Sequence, residues 1–219
     1  MIELMRASKT YDRGRGVRDV SFRINKGEWV LLVGGSGAGK STILRMMYGA
    51  LRPDNGDVIV GSHRLSLVKD KDLPTVRRLL GIIDQDLTLV ADRSVYRNVS
   101  LVGEVLGWTK KQTRVQALRV LNRVGLHAHL DQYPHNLSRG EMRRLAIARA
   151  LVAQPFALVA DEPLIHLDHE TATSIVELMA KIHAQGTSIV LATHRAELFD
   201  GYPVRKLYVE NGELREGTP

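Results

Sequence analysis

Residues 29–42 read WVLLVGGSGAGKST, an apolar run followed at once by a glycine-rich loop. The loop fits the pattern G-x-x-x-x-G-K-[S/T], and its flanks predict a strand before it and a helix, Ile43 to Ala50, after it. Glycines let consecutive backbone N–H groups curl around an anion, and the start of a helix adds partial positive charge. A plain glycine turn is the alternative, but the Lys-Ser pair argues against it. The stretch therefore predicts a site for a nucleoside triphosphate.

The predicted loop offers contacts to both phosphate and metal. Its members are Gly34, Gly35, Ser36, Gly37, Ala38, Gly39, Lys40, Ser41 and Thr42. The Lys40 ammonium can reach the β- and γ-phosphates, and the Ser41 hydroxyl can ligate Mg²⁺. We therefore expect a nucleoside triphosphate and Mg²⁺ as the bound groups.

The composition narrows the class of protein. The 219 residues are 44% apolar and 25% charged, as in ordinary globular domains. No cysteine is present, which excludes disulfides and thiolate metal sites. His127, His129 and Asp131 alternate like zinc ligands, but without a fourth ligand a simple loop is favoured. The chain also lacks a long apolar stretch and the features of a signal peptide, so we expect that it does not cross a membrane by itself.

The net charge of +7 leaves the choice of partner open. A basic surface suits nucleic acid, anionic lipid headgroups or an acidic partner, and it can equally be a solvated surface without a partner. The basic residues are scattered along the chain and do not form one block. Charge alone therefore favours none of these interpretations.

The order of predicted elements is typical of an α/β fold. Short apolar stretches predict strands at residues 2–4, 20–24, 29–33, 57–60, 80–83, 156–160 and 188–192. The last two are apolar throughout, as expected of parallel strands that are covered on both faces. Apolar residues at helical spacing fill 94–125, 138–153 and 170–185. We therefore expect a strand–helix–strand core around the loop, with an all-helical insertion near 86–153.

An acidic pair, Asp161-Glu162, directly follows the apolar run 156–160. A carboxylate at the carboxyl end of a parallel strand, beside a phosphate loop, is well placed to serve Mg²⁺. The next carboxylate projects differently and could polarise the water that attacks the γ-phosphate. The pair could instead merely begin a turn, but the phosphate loop upstream makes this the weaker interpretation. Asp161 is therefore a candidate metal ligand and Glu162 a candidate catalytic residue.

Leu137-Ser138-Arg139-Gly140-Glu141 opens the helix that leads to Asp161. By itself the segment predicts only a capping box, with Ser138 as the N-cap and Glu141 three residues later. Together with the phosphate loop upstream, it resembles the signature motif of the ATP-binding cassette ATPases. The other marks of that family occur in the family's order, namely Tyr11, Gln85, Asp161-Glu162, Leu167-Asp168 and His194.

Segments 73–78 and 92–99 are similar to the cell-division branch of this family, in a group that also contains lipoprotein-release and macrolide-efflux ATPases. The resemblance implies a P-loop NTPase core with a mostly parallel sheet and flanking helices. It also implies an N-terminal antiparallel β subdomain and an inserted helical subdomain near 86–153. All of these would belong to a single nucleotide-binding domain over 1–219.

The resemblance implies a role for each candidate residue, with ATP and Mg²⁺ as cofactors. The catalytic residues would be Lys40, Gln85, Glu162 and His194. The metal ligands would be Ser41, Gln85 and Asp161. Tyr11 would stack on adenine. In a head-to-tail, ATP-dependent homodimer, Ser138 and Gly140 of one subunit would bind the γ-phosphate held by the other.

The resemblance also implies a membrane partner. An integral membrane subunit, an FtsX-like permease, would bind the helical region and place the chain at the cytoplasmic face of the cell membrane. ATP-driven closure would then regulate peptidoglycan hydrolysis. The ATPase of a lipoprotein-release or drug-efflux transporter is the alternative. A DNA clamp would carry long coiled-coil insertions, which the segment between Ser41 and Ser138 lacks, so nucleic acid is not expected as a partner.

Two arginines depart from the family pattern. Arg139 replaces the first glycine of the signature, and Arg195 follows His194 where an aspartate is common. Arg139 could obstruct the second subunit or supply a cation to its phosphate. We favour the interpretation in which the Arg139 side chain points outward and is tolerated. Glu162 and His194 argue against a nucleotide switch that does not hydrolyse.

Overall fold

The computed structural model describes residues 1–11 and 15–217, and the strands within them form two sheets. In chain order these are β1 (Ile2–Thr10), β2 (Gly16–Ile24), β3 (Trp29–Val33), β4 (Asn55–Val60), β5 (His63–Arg64), β6 (Leu80–Ile83), β7 (Ala157–Asp161), β8 (Ser188–Thr193), β9 (Arg205–Glu210) and β10 (Glu213–Glu216). The first sheet is antiparallel and has the order β2-β1-β4-β5. The antiparallel sheet predicted near the N-terminus is therefore confirmed.

The second sheet has the order β10-β9-β3-β8-β7-β6, and its pairs are parallel except for β9 with β10. β7 and β8 are buried along their whole length, as their continuous apolar runs predict. β9 and β10 form an antiparallel edge that the sequence analysis did not predict. The mostly parallel sheet of the expected α/β fold is confirmed.

The α-helices lie between and beside these strands. In the described residues they are α1 (Lys40–Met47), α2 (Leu73–Arg77), α3 (Val95–Val105), α4 (Lys110–Arg123), α5 (Arg139–Leu151) and α6 (His169–His183). The segment 94–125, predicted as helical, contains two helices. Gly107, with φ of 71°, follows the end of α3, and Thr109 begins α4 with a capping box to Gln112. Within the described residues, no helix is both long and apolar enough to cross a bilayer.

The second sheet lies between two apolar cores. Side chains alternate along a strand, so Val30 and Leu32 of β3 point to the core shared with α1 and the antiparallel sheet. Trp29 and Leu31 point to the opposite core, which is shared with α5 and α6. Because both faces are filled, β3 and its neighbours are held in a fixed register. The carboxyl ends of β3, β7 and β8 consequently meet at one edge of the sheet.

Helices α3, α4 and α5 lie between β6 and β7 along the chain and pack against one another. Buried Asn98 fastens the segment before α3, because its Nδ2 donates to the carbonyls of Val90, Arg93 and Ser94 at 2.9–3.1 Å. Its Oδ1 accepts from the Val90 N–H at 2.9 Å. The three helices fall within the predicted limits 86–153, while the division of the chain into domains stays a prediction.

Candidate nucleotide-binding site

The glycine-rich loop connects the end of β3 to the start of α1. Gly37 and Gly39 adopt φ values of 78° and 112°, which side chains other than glycine rarely tolerate. A Cβ atom on Gly39 would lie 2.5 Å from Val17 Cγ1, and one on Gly34 would overlap the Val209 carbonyl oxygen. No side chain caps the start of α1, which leaves its first N–H groups directed into the loop. The loop therefore has the uncapped helix start and tight backbone that an anion requires.

A pocket of about 210 Å³ opens beside this loop. It is lined by Tyr11, Arg15, Gly16, Gly37, Ala38, Gly39, Lys40, Ser41 and Thr42. The Tyr11 ring is 41% exposed, and its hydroxyl lies 3.5 Å from Thr42 Oγ1. Arg15 was not among the predicted site residues, although a basic residue just after Tyr11 was a signal that could have identified it. The pocket thus combines an exposed aromatic face, a cation and the anion-binding loop.

The Lys40 side chain is held inside the loop. It is only 6% exposed, and its Nζ donates to the carbonyls of Gly34 and Gly35 at 2.7 and 3.0 Å. The same nitrogen lies 3.3 Å from Glu162 Oε1. Lys40 therefore joins the loop to the carboxyl end of β7.

Glu162 forms the centre of a three-residue contact. Besides Lys40, it meets His194, whose Nδ1 lies 2.9 Å from Glu162 Oε2. Glu162 is nearly buried, while the His194 side chain is half exposed. The φ of Glu162 is 44°, a strained value for a residue other than glycine, and such strain is common at functional sites. The sequence predicted all three residues, and the fold brings them together.

Asp161 has an unpartnered buried oxygen that suits a metal. The residue is 7% exposed, and its Oδ1 has no hydrogen-bond partner among the described residues. Burial raises the pKa of the Asp161 carboxyl, and a hydrogen bond from Ser41 opposes this rise. A carboxylate and a hydroxyl side by side are hard oxygen donors, the type that Mg²⁺ prefers. The donor set therefore fits this ion.

Gln85 follows β6 and is exposed. The residue before it, Asp84, accepts a hydrogen bond from the Tyr48 hydroxyl at 3.0 Å. Burial and the nearby Asp84 carboxylate raise the pKa of Tyr48 to about 12, so the hydroxyl remains a donor. This bond fixes the start of the Gln85 segment against the end of α1.

Ser138 and Gly140 lie at the start of α5. Ser138 caps the helix, since its Oγ accepts from the Glu141 N–H at 3.2 Å. A Cβ on Gly140 would lie 2.6 Å from Thr171 Cγ2, so a glycine lets α5 pack closely on α6. Among residues 1–11 and 15–217, no hydrogen bond or ion pair connects Gln85, Ser138 or Gly140 to the phosphate loop. These three predicted residues therefore take no part in the hydrogen-bonded contacts of Lys40.

The two unexpected arginines both bind the segment that follows β7. Arg139 is exposed, and its Nη1 donates to the His166 carbonyl at 3.3 Å. Arg195 Nη1 donates to the next carbonyl, that of Leu167, at 3.1 Å.

His129, part of the rejected zinc pattern, lies 3.0 Å from Glu141 Oε1 and so contacts the signature helix. In the described part of the chain, no cluster of three or more His, Cys, Asp or Glu residues could hold a metal.

The raised pKa of Asp161 generates a prediction for stability. The unfolded chain loses this proton at about pH 3.9, before the folded protein does, so the ionised group lowers the free energy of unfolding as pH rises. Asp161→Asn should therefore raise the free energy of unfolding in urea at pH 7 without nucleotide. The gain should shrink as the pH falls toward about 3.9. Asp92→Asn, at an exposed position, is the control and should show no such pH-dependent gain; a loss of stability in Asp161→Asn at pH 7 would contradict the argument.

Comparison with known proteins connects this geometry to a family. The sequence profile of the ABC transporter family matches residues 17–165, more than half of the chain. The cell division ATP-binding protein FtsE of Streptococcus pneumoniae serotype 2 (strain D39) is 38% identical over 215 residues, which cover 98% of this chain and 94% of that protein. FtsE of Escherichia coli K12 is 36% identical over 219 residues, which cover 100% of this chain and 99% of that protein.

Solved structures share the fold. A dimeric structure of MJ0796, a bacterial ABC transporter cassette, is 30% identical, with a TM-score of 0.87 over 100% of this chain and 98% of that one. A dimeric post-hydrolysis state of the ATP-binding cassette MJ0796, bound to ADP and Pi, is 28% identical, with a TM-score of 0.86 over 100% of both chains. Fold, sequence profile and near-full-length relatives agree, and the chain belongs to the ATP-binding cassette family of ABC transporter ATPases.

Proposed function

We propose that this chain binds and hydrolyses MgATP as the ATPase subunit of a cell-division complex, and that ATP-driven pairing of two copies acts on a separate integral membrane subunit. The observation that carries the proposal is the contact of Lys40, Glu162 and His194 beside the uncapped start of α1. This arrangement supplies a cation for phosphate and a carboxylate for water. The FtsE relatives support the cell-division assignment.

Binding begins with an exchange of partners at Lys40. Without nucleotide its ammonium is satisfied by two loop carbonyls and by Glu162. A triphosphate in the loop offers stronger anionic acceptors, so the ammonium turns to the β- and γ-phosphates. Glu162 is thereby released from its ion pair. Tyr11 provides a π-face for adenine at the rim of the pocket.

Hydrolysis is an in-line attack of water on the γ-phosphate. The released Glu162 carboxylate accepts a hydrogen bond from this water and takes its proton. His194 contacts Glu162 and holds both the carboxylate and the water in line. Ser41, Asp161 and Gln85 would hold Mg²⁺, which neutralises charge on the phosphates. The protein's contribution is therefore positioning and electrostatic stabilisation.

A second copy completes the site. Within residues 1–11 and 15–217, neither Ser138 nor Gly140 forms a hydrogen bond with the phosphate loop of its own chain. Both lie at the start of α5, where the helix dipole favours an anion. In a head-to-tail dimer they bind the γ-phosphate held by the other copy. The dimeric MJ0796 cassettes, similar in fold, support this arrangement. Loss of the γ-phosphate then removes contacts from both copies.

An apolar groove supports the proposed membrane partner. It has a volume of about 410 Å³ and lies among α2, β6, α3 and α5. Leu101 and Val105 of α3 line it and are 38% and 69% exposed, and Arg77 and Arg78 also line it. An apolar groove that is lined in part by cations suits an amphipathic helix with acidic residues. We propose that a cytoplasmic helix of an FtsX-like permease docks here.

This docking places the chain at the cytoplasmic face of the cell membrane, where closure of the dimer regulates peptidoglycan hydrolysis through the permease. The ATPase of a lipoprotein-release or drug-efflux transporter remains the second candidate, because the same groove would receive the helix of such a transporter. The FtsE relatives at 36–38% identity favour the first. The proposal includes no nucleic acid.

Removal of the Glu162 carboxylate tests the mechanism. Glu162→Gln should lower ATP turnover by about 10²-fold or more, since the water loses its proton acceptor. ATP binding should persist, and MgATP should hold the variant as a dimer. Phosphate release and light scattering measure the two effects. Glu177→Gln, on an exposed face of α6, is the matched control; wild-type turnover in Glu162→Gln would refute the assigned role.

Arg139 offers a separate test of the dimer. Because its guanidinium binds the His166 carbonyl of its own chain, we expect Arg139→Gly to hydrolyse ATP at least as fast as the wild type. A cation acting on the partner's phosphate would instead be worth about 10³-fold or more in turnover. Arg139→Lys, which keeps the charge, separates the two cases. A large loss in Arg139→Gly with recovery in Arg139→Lys would show that the cation acts in trans.

The groove predicts which surface the membrane subunit contacts. Val105→Glu places a charge in the groove and should abolish co-purification with the membrane subunit from native membranes. The ATP turnover of the isolated chain should not change, since Val105 lies away from the loop. Val115→Glu, on α4 and 55% exposed outside the groove, is the control. Equal co-purification of both variants would exclude the groove as the docking site.

A further inference from the structure

A second polar pocket lies on the helical part of the chain and shares no residue with the nucleotide-binding pocket. Its volume is about 100 Å³, and it opens between α4 and the end of α5. Its polar lining consists of Gln116, Arg119, Arg123 and Gln154. Nothing in the proposed ATPase mechanism uses these residues. The pocket therefore needs an explanation of its own.

Two nitrogens of the partly buried Arg123 guanidinium lack acceptors among the described residues. Its Nε and Nη2 are shielded from solvent and have no hydrogen-bond partner among residues 1–11 and 15–217. Burial, and then the nearby Arg119 charge, lower the pKa of Arg123, but a guanidinium remains charged at neutral pH. Shielded donors without acceptors cost free energy, and a second cation beside them adds repulsion.

Three other partly buried arginines have backbone acceptors. Arg77, Arg144 and Arg149 each donate to backbone carbonyls at 2.8–3.0 Å. Arg123 is the last residue of α4, where a cation is favoured by the helix dipole. That attraction explains a cation whose nitrogens reach acceptors, but Nε and Nη2 of Arg123 reach none among the described residues. Arg143 also has nitrogens without partners in the described part of the chain, but it does not line this pocket.

The described residues supply no carboxylate to balance the charge of this pocket. In the described part of the chain, no carboxylate lies within ion-pair distance of Arg119 or Arg123. The two glutamines are bridged, because Gln154 Nε2 donates to Gln116 Oε1 at 3.1 Å. This bond leaves the Gln116 amide nitrogen as a further donor. The pocket thus presents two guanidinium groups and an amide, and its ligand must be a compact acceptor.

The backbone of Gln154 has an unusual conformation for a glutamine. Its φ is 53°, a left-handed conformation that glycine or asparagine adopts at lower cost after a helix. The side chain of Gln154 reaches across the pocket to Gln116 of α4. This bond holds the Gln116 amide in place beside the pocket.

We propose that this pocket binds an oxyanion of the phosphate class, held by the Arg123 guanidinium with Arg119 and Gln116 as further donors. A guanidinium fork matches two oxygens of such an anion, and the small volume suits a single phosphate group. The group can be free phosphate or the phosphate of a lipid headgroup. The proposal is independent of the ATPase assignment.

Phosphate titration of the full chain tests the proposal. The phosphate loop is first saturated with a non-hydrolysable MgATP analogue, and inorganic phosphate is then titrated by calorimetry. We expect saturable binding that Arg123→Gln weakens by about tenfold or more, since charge-assisted hydrogen bonds are lost. Arg114→Gln, an equal charge change at an exposed position of α4, should bind phosphate like the wild type. Thermal melting without phosphate checks the fold, and Arg119→Gln replaces Arg123→Gln if the latter is unfolded.

A flotation assay distinguishes the two sources of phosphate. The same proteins are mixed with vesicles that contain phosphatidylglycerol. A loss of vesicle binding in Arg123→Gln, but not in Arg114→Gln, assigns the site to a lipid headgroup, and an effect on inorganic phosphate alone assigns it to the free ion. Equal binding by wild type and Arg123→Gln in both assays, or no saturable binding in either, would overturn the proposal.

Discussion

The parallel pairing of β3, β8 and β7 is the constraint on which the site depends. Val33 pairs with Thr193, and Asp161 pairs with Ala192, so three strands end at the same level. The phosphate loop, the acidic pair and His194 follow these ends directly. Because each strand is buried on both faces, a slip in register would move apolar side chains out of the two cores. The core therefore fixes the distances between Lys40, Glu162 and His194.

This constraint keeps opposed charges close together in a largely dry place. Asp161 and Glu162 are adjacent carboxylates at the end of β7, and both are nearly buried. Lys40 compensates Glu162 directly, whereas Asp161 retains an oxygen without a partner among the described residues. Adjacent carboxylates with little exposure lower the free energy of unfolding, and an added metal cation would relieve their repulsion. The positive φ of Glu162 adds backbone strain at the same place, and such strain is common at functional sites.

The sequence was most informative where chemistry demands particular residues at particular spacings. The loop, the acidic pair and the strands covered on both faces were predicted because glycine, lysine and continuous apolar runs leave few alternatives. The edge strands β9 and β10 were missed because only Leu207 and Val209 are buried in β9, a weak alternation in a short segment. The Lys40–Glu162 ion pair could not be predicted either, nor could the two Arg123 nitrogens that lack partners among the described residues. They depend on contacts between residues far apart in the chain, or on the absence of such contacts, and only the folded structure defines these.

The two arginines that depart from the family pattern, Arg139 and Arg195, bind the same segment from opposite sides. Backbone carbonyls of the segment after β7 face the signature helix on one side and the end of β8 on the other. Arg139 binds the His166 carbonyl from the first side, and Arg195 binds the Leu167 carbonyl from the second. Arg195 is itself fixed by its N–H, which donates to Thr193 Oγ1 at 2.9 Å. Hydrogen bonds thus connect the start of α5 to the end of β8, which precedes His194. A shift of either element must therefore break these bonds or move the segment between them.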